Sequence, residues 1–237
     1  MLQVTALALC ALVLAGPSLS QLRDGGKPID KSRIPARADD VKKFVPPGWK
    51  IEQQVAGELN GDSVPDYALK LVEDKPAKNS EEVATERQRA LVILVQETGS
   101  QLVRVGVADK LLQCTSCGGA FYGVDDSPAE VTIEKGVIVV QQGHGSNNIT
   151  NTTYRFRYDP ITQRIVLIGF DYTNADRGMA QDISESTNYL TGVRTVSRNT
   201  GERILNRSTR IPRSKIFIDQ IDSEKFDADA TKRLGLD

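Results

Sequence analysis

The chain reads as an all-β protein, an antiparallel meander that closes as a sandwich or an open barrel or forms partial propeller-like sheets, with little helix. Three observations predict this. Apolar and polar residues alternate with period two in one segment after another, as in "TYRFRYD", where Tyr154, Phe156 and Tyr158 oppose Thr153, Arg155 and Arg157. Short turns rich in Gly or Asp-Pro separate these segments, and segments with a broad helical apolar face are scarce.

Residues 1–20 stand apart: an apolar run, "VTALALCALVLAG", is followed by Pro17 and by small residues up to Ser20. This is the layout of a secretory signal peptide, although no Lys or Arg precedes the run; the alternative is a buried N-terminal strand or helix. Leu9 before Cys10 does not fit a lipid-attachment signal. Residues 21–40 are poor in large apolar side chains and rich in Gly, Pro and charge, the composition of a flexible lead-in. The remainder, 41–237, reads as a single β-rich domain, long enough to bury one core.

Within it, Trp49, Ile51 and Val55 are expected on one strand face, and Val103, Val105 and Val107 on another. The run Ala90 to Val95 is apolar throughout and predicts a central strand covered on both sides. Hairpin turns are expected at Gly99, at Lys135-Gly136, across "DPITQ" and at Thr191-Gly192. "SEEVATERQR" from Ser80 predicts a short exposed helix or a charged loop. "SEKFDADATKRLG" predicts a terminal turn or two stopped by Gly235, with too narrow an apolar face to join the core.

Thirty basic against thirty-one acidic side chains give a net charge of −1, so no global field draws the chain to nucleic acid or to a membrane surface. No membrane span is expected once a signal peptide is removed. Charge is uneven, however: seven basic residues between Arg194 and Lys215 face one acid, Glu202, and five acids follow between Asp219 and Asp229. Two readings are open. The stretch binds an acidic partner protein or an anionic envelope polymer, or it is balanced by the acidic tail. Sequons at Asn148, Asn151 and Asn206 matter only in a host that glycosylates.

The segment "GELNGDSVPDY" carries oxygen at alternate positions: Glu58, Asn60, Asp62, the carbonyl of Val64, and Asp66. Calcium takes six to eight oxygens at once, and a loop with ligands at every second residue can curl around it, here at a hairpin tip with Gly61 easing the bend. The other reading is a polar turn whose carboxylates cap backbone N–H groups without an ion. The stretch "AGELNGDSVPDYALKL" resembles the calcium-binding loop of FG-GAP and VCBS repeats. The resemblance implies the ligand set Glu58, Asn60, Asp62, Val64 and Asp66, with Glu58 in place of the usual Asp and Ser63 in place of the usual Gly. Only one such loop is found, so a full propeller is not implied. More broadly, "PPGWK", this loop, a cysteine turn and "IVLIGFDY" are similar in order to a group of uncharacterised exported bacterial proteins, which implies export and architecture without a reaction.

Cys114 and Cys117 in "LQCTSCGGAFYG" are expected to form a local disulfide in an oxidising compartment. A zinc site lacks two further ligands, and Gly118-Gly119 argue against the helix that a redox Cys-x-x-Cys needs. His144, the sole histidine, is expected in a solvated loop; Ser146 and Ser184 are the serines weighed beside it as nucleophiles, and no catalytic residue is assigned. The sequence thus leads to a periplasmic or secreted, non-enzymatic binding module stiffened by a weak calcium loop. A hydrolase of envelope polymer using a carboxylate pair, or a thiol-redox accessory protein using Cys114 and Cys117, are the alternatives.

Overall fold

A computed structural model of the protein describes residues 28–97, 100–123 and 126–236; the expected signal peptide and the turn residue Gly99 lie outside them. Two antiparallel sheets pack face to face as a sandwich. The first has five strands in the order β1-β5-β4-β3-β2: β1 (Arg37–Ala38), β2 (Trp49–Gly57), β3 (Asp66–Glu73), β4 (Arg89–Gln96) and β5 (Leu102–Ala108). The second has seven in reverse sequence order: β6 (Ala129–Glu134), β7 (Val137–Gly145), β8 (Asn148–Asp159), β9 (Arg164–Asp176), β10 (Gln181–Asn188), β11 (Val193–Asn199) and β12 (Ile204–Arg210). Among the described residues no helix is long and apolar enough to cross a membrane.

The strands flanking each expected turn pair as hairpins, with register shifts in the β4–β5 and β8–β9 ladders. Lys135 and Gly136 both take positive φ, 50° and 76°, which a two-residue turn matched to strand twist requires. β4 is the central strand of the first sheet, and Ala90 to Leu94 are entirely shielded from solvent. One of its faces meets Val140, Tyr154, Phe156 and Ile165 of the second sheet; the other meets Ile29, Ile34 and Phe44 from the N-terminal segment.

Four features depart from expectation. Residues 28–40 are packed: Ile29 and Ile34 are buried, Arg104 Nη1 donates to the carbonyls of Lys31 and Ile34, and Arg37–Ala38 pair with β5. Trp49, Ile51 and Val55 do not share a face, because the ladder with β3 skips Glu52. One extra residue inverts the alternation. Trp49 and Ile51 therefore pack under the N-terminal segment, and Val55 packs between the sheets. Val105 is skipped in the same way in the β4–β5 ladder, so it packs between the sheets while Val107 packs on the far side. The C-terminal segment is a full helix, whereas the segment from Ser80 takes the loop form, one of the two expected for it. An α-helical turn at Gly119–Tyr122 (α1) precedes β6, and α2 spans Ser223–Leu234.

α2 begins at Asp222, whose side chain accepts from the Lys225 N–H, and stops at Gly235 with φ +67°. Its apolar stripe is narrow but regular: Phe226, Ala230 and Leu234, one per turn, lie on the inner face of the second sheet beside Tyr154 and Phe170. Arg233 closes the packing with a bidentate pair to Glu185, whose side chain is fully buried.

Candidate functional site

The oxygen-rich loop joins β2 to β3, at the tip of their hairpin. Its side chains fold back on the main chain. Glu58 Oε1 accepts from the Gly61 N–H at 2.6 Å, Asn60 Oδ1 from Asp62 at 3.0 Å, and Asp62 Oδ1 from Val64 at 2.8 Å. Asp66 is wholly buried, and its two oxygens accept from the N–H groups of Leu59 and Gln96 at 2.8 and 2.9 Å. Burial pushes the Asp66 carboxyl above its ordinary value, and the two N–H donors oppose that shift. Asp66 thus pins the loop to the end of β4. Glu58, Asn60, Asp62 and the Val64 carbonyl remain as the oxygens at the tip, and among the described residues the enclosed Glu58 Oε2 has no hydrogen-bond partner.

The cysteine turn is covalently closed: Cys114 and Cys117 form a disulfide, with their Cα atoms 5.2 Å apart. Cys114 is 4% exposed, and α1 starts only at Gly119, so Cys114 caps no helix. A Glu86 oxygen lies within 4.8 Å of both sulfurs, but sulfurs bonded to each other are not thiolate ligands. Arg89, 1% exposed, braces the turn from below. It donates to the Ser127 carbonyl at 2.8 Å, holds Glu52 through Nε and Nη2 at 2.8 Å, and meets Asp126 at 2.7 Å. The bulge that displaces Glu52 from its ladder position therefore supplies the counter-charge for a buried guanidinium. Sequence reasoning misses the Glu52–Arg89 pair; the one signal for it is the broken alternation after Ile51.

Beside the disulfide opens a cleft of about 610 Å³. Glu86 and Gln88 line it from the loop before β4, Asp109, Lys110, Gln113, Cys114 and Cys117 from the segment after β5, Gln142, His144 and Thr152 from β7 and β8, and Asp222, Glu224 and Asp227 from the start of α2. His144, expected in a loop, sits in β7 on the face turned toward α2. Its Nδ1 is 3.8 Å from Asp227 Oδ2. Burial lowers the imidazole's affinity for a proton. Burial, and then the neighbouring Glu224, raise the Asp227 carboxyl from 3.8 to about 7. Among the described residues its enclosed Oδ1 has no hydrogen-bond partner. Behind it, Tyr154 is fully buried, its hydroxyl held well above its ordinary range by burial and then by Asp227.

Lys110 carries the lining's permanent positive charge and is 3.4 Å from Asp222, and Asp109 is held by Lys31 at 2.8 Å, so Glu86, Glu224 and Asp227 are the acids of the lining without a lysine partner among the described residues. Ser184 lies in β10 beside Thr173 and Ser197, on the face opposite to Ile183 and Glu185, and is remote in orientation from His144. Ser146 lies past the end of β7 and is exposed. Neither serine joins the cleft. Compared with known proteins, the chain matches no protein-family model, no curated protein and no solved structure.

Proposed function

We propose that the protein is an exported, non-enzymatic binding module and that the cleft between the cysteine turn and α2 seats a cationic group, such as a primary amine. One observation carries this reading: Asp227 sits in a cleft of ligand size with a half-titrated carboxyl and an enclosed oxygen that has no donor. A cation arriving there meets Glu86, Glu224 and Asp227, since Lys31 and Lys110 hold Asp109 and Asp222, and it draws the proton off Asp227. The disulfide that walls the cleft fits an oxidising compartment, which supports export. Calorimetry with lysine amide and its Nε-acetylated form, in two buffers of different ionisation heat, tests the reading. Expected are binding of the free amine with proton release, and loss of both in Asp227→Asn. Equal binding of the acetylated form overturns it.

A calcium ion at the β2–β3 loop belongs to the same proposal, held by Glu58, Asn60, Asp62 and the Val64 carbonyl. Bound there it would supply rigidity to the hairpin tip and no chemistry. The support is the enclosed, unpartnered Glu58 Oε2. A rise in melting temperature with millimolar calcium, absent in Asp62→Asn, is the expected result. The second reading, a hydrolase, draws on the same Asp227, since a carboxyl protonated near neutral pH is what a general acid requires. Release of reducing ends from envelope polysaccharide, abolished in Asp227→Asn, would favour it over the binding module.

A further inference from the structure

We propose that the free edge of β12 is a docking strand for an extended acidic segment of a partner protein, which adds to the seven-stranded sheet by main-chain hydrogen bonds. The first observation is the exposure of the strand. Among the described residues β12 pairs with β11 alone, and all seven of its residues are exposed, with Ile204 and Leu205 on opposite faces at 63% and 47%. The strand is held by its ladder to β11, with little side-chain burial on either face.

The second observation is which groups the edge presents. At one end of the hairpin the Thr200 N–H donates to the Arg203 carbonyl, and at the other the Ile211 N–H donates to the Gly192 carbonyl. In an antiparallel pair, bonded and non-bonded positions alternate. Arg203, Leu205, Arg207, Thr209 and Ile211 therefore turn their main-chain groups to β11. Ile204, Asn206, Ser208 and Arg210 turn theirs outward, four N–H and four C=O groups without a strand beside them. An open row of this kind is a template for a further strand.

The third observation is charge, and it selects the occupant. Arg203, Arg207, Arg210 and Arg213 flank or lie in the strand, and among the described residues none forms an ion pair. The acidic tail does not balance them: Asp219 pairs with Arg164, Asp222 with Lys110, and Asp227 faces His144. Glu202, in the turn, is the one acid in the sequence between Arg194 and Lys215. A second copy is disfavoured, because antiparallel self-pairing about the strand centre sets Arg207 against Arg207. A strand with glutamate or aspartate at alternate positions meets both the open main chain and the unpaired guanidinium groups.

The probe is a seven-residue peptide, the length of β12, alternating glutamate with threonine or valine and blocked at both ends. Its controls are the same peptide N-methylated along one edge, and polyglutamate. Fluorescence anisotropy should show saturable binding that weakens with salt, and amide exchange should slow at Ile204, Asn206, Ser208 and Arg210. Ser208→Pro removes an outward N–H and the exposed side-chain bond to Thr195 but no main-chain bond to β11, so the sheet should persist, as Ser208→Ala checks, while peptide affinity falls about tenfold or more in the proline variant alone. Arg207→Glu with Arg210→Glu should abolish binding without touching the main chain. Equal affinity for the N-methylated peptide or polyglutamate would reduce the site to an anionic-polymer patch and overturn strand addition. Absence of peptide binding overturns it too, as does self-association that Ser208→Pro disrupts.

Discussion

Replacing Asp227 by Asn should make the protein less sensitive to pH, and the size of the effect follows from its surroundings. The folded carboxyl titrates at about 7 against an ordinary 3.8. Between those values the folded chain keeps a proton that the unfolded chain has released, so stability is highest below about pH 4 and falls as pH rises toward 7. At about 1.36 kcal/mol per unit the full difference is roughly 4 kcal/mol, and the quarter of the side chain open to solvent reduces this to about 2–4 kcal/mol. Of the groups facing it, Glu224 raises the carboxyl and Glu86 adds negative lining, while Asp109 and Asp222 are held by Lys31 and Lys110. Lys110 is engaged by Asp222, and burial leaves His144 mostly neutral at pH 7. An amide in place of the carboxyl cannot ionise. Urea unfolding of both proteins from about pH 4 to pH 8 should give curves that converge near pH 4, diverge between about pH 4 and pH 7 and keep a constant gap above that, with the Asp227→Asn variant the more stable by about 2–4 kcal/mol. Parallel curves across that range would refute the assigned titration and the cleft chemistry built on it.

Asp66→Ala should cost about 3 kcal/mol, measured by urea unfolding in chelator, because the N–H groups of Leu59 and Gln96 lose their acceptor in a buried site. Arg89→Ala should cost about 3–5 kcal/mol, since Glu52 loses its bidentate partner and the Ser127 carbonyl its donor; Glu52→Gln with Arg89→Met should recover much of it. Reduction of the disulfide, or Cys114→Ser with Cys117→Ser, should cost only about 2 kcal/mol, because the closed loop is so short. A melt with and without reductant checks that figure.

Strand positions are legible in the sequence where a strand is regular. Tyr154, Phe156 and Tyr158 all face the core from β8, as their alternation implies. The alternation misleads at Glu52 and Val105, where one additional residue exchanges the two faces and only the partner strand reveals it. The extent of α2 is hard to read because its buried stripe is one residue wide; Asp222 and Gly235, set at its ends, are the better signals. The packed segment at 28–40 is hidden for the same reason, as two isoleucines five residues apart bury far more than their number suggests. The cleft is not legible at all. Its acids come from segments spread between Glu86 and Asp227, and what distinguishes Asp227 from thirty other acids is desolvation, which arises only after folding.

The two sheets keep the strands, β1 excepted, in the order in which the chain carries them. For a polypeptide that emerges from a pore amino end first, each new strand finds its neighbour already waiting, and no earlier hairpin has to reopen to admit it. Two pieces break this schedule. β1 must wait for β5, and α2 can settle on Tyr154 and Phe170 only after the whole second sheet has been delivered. The wall of the cleft that bears Asp227 thus arrives after both sheets, so a chain that stopped before α2 would carry a nearly finished sandwich with an open floor.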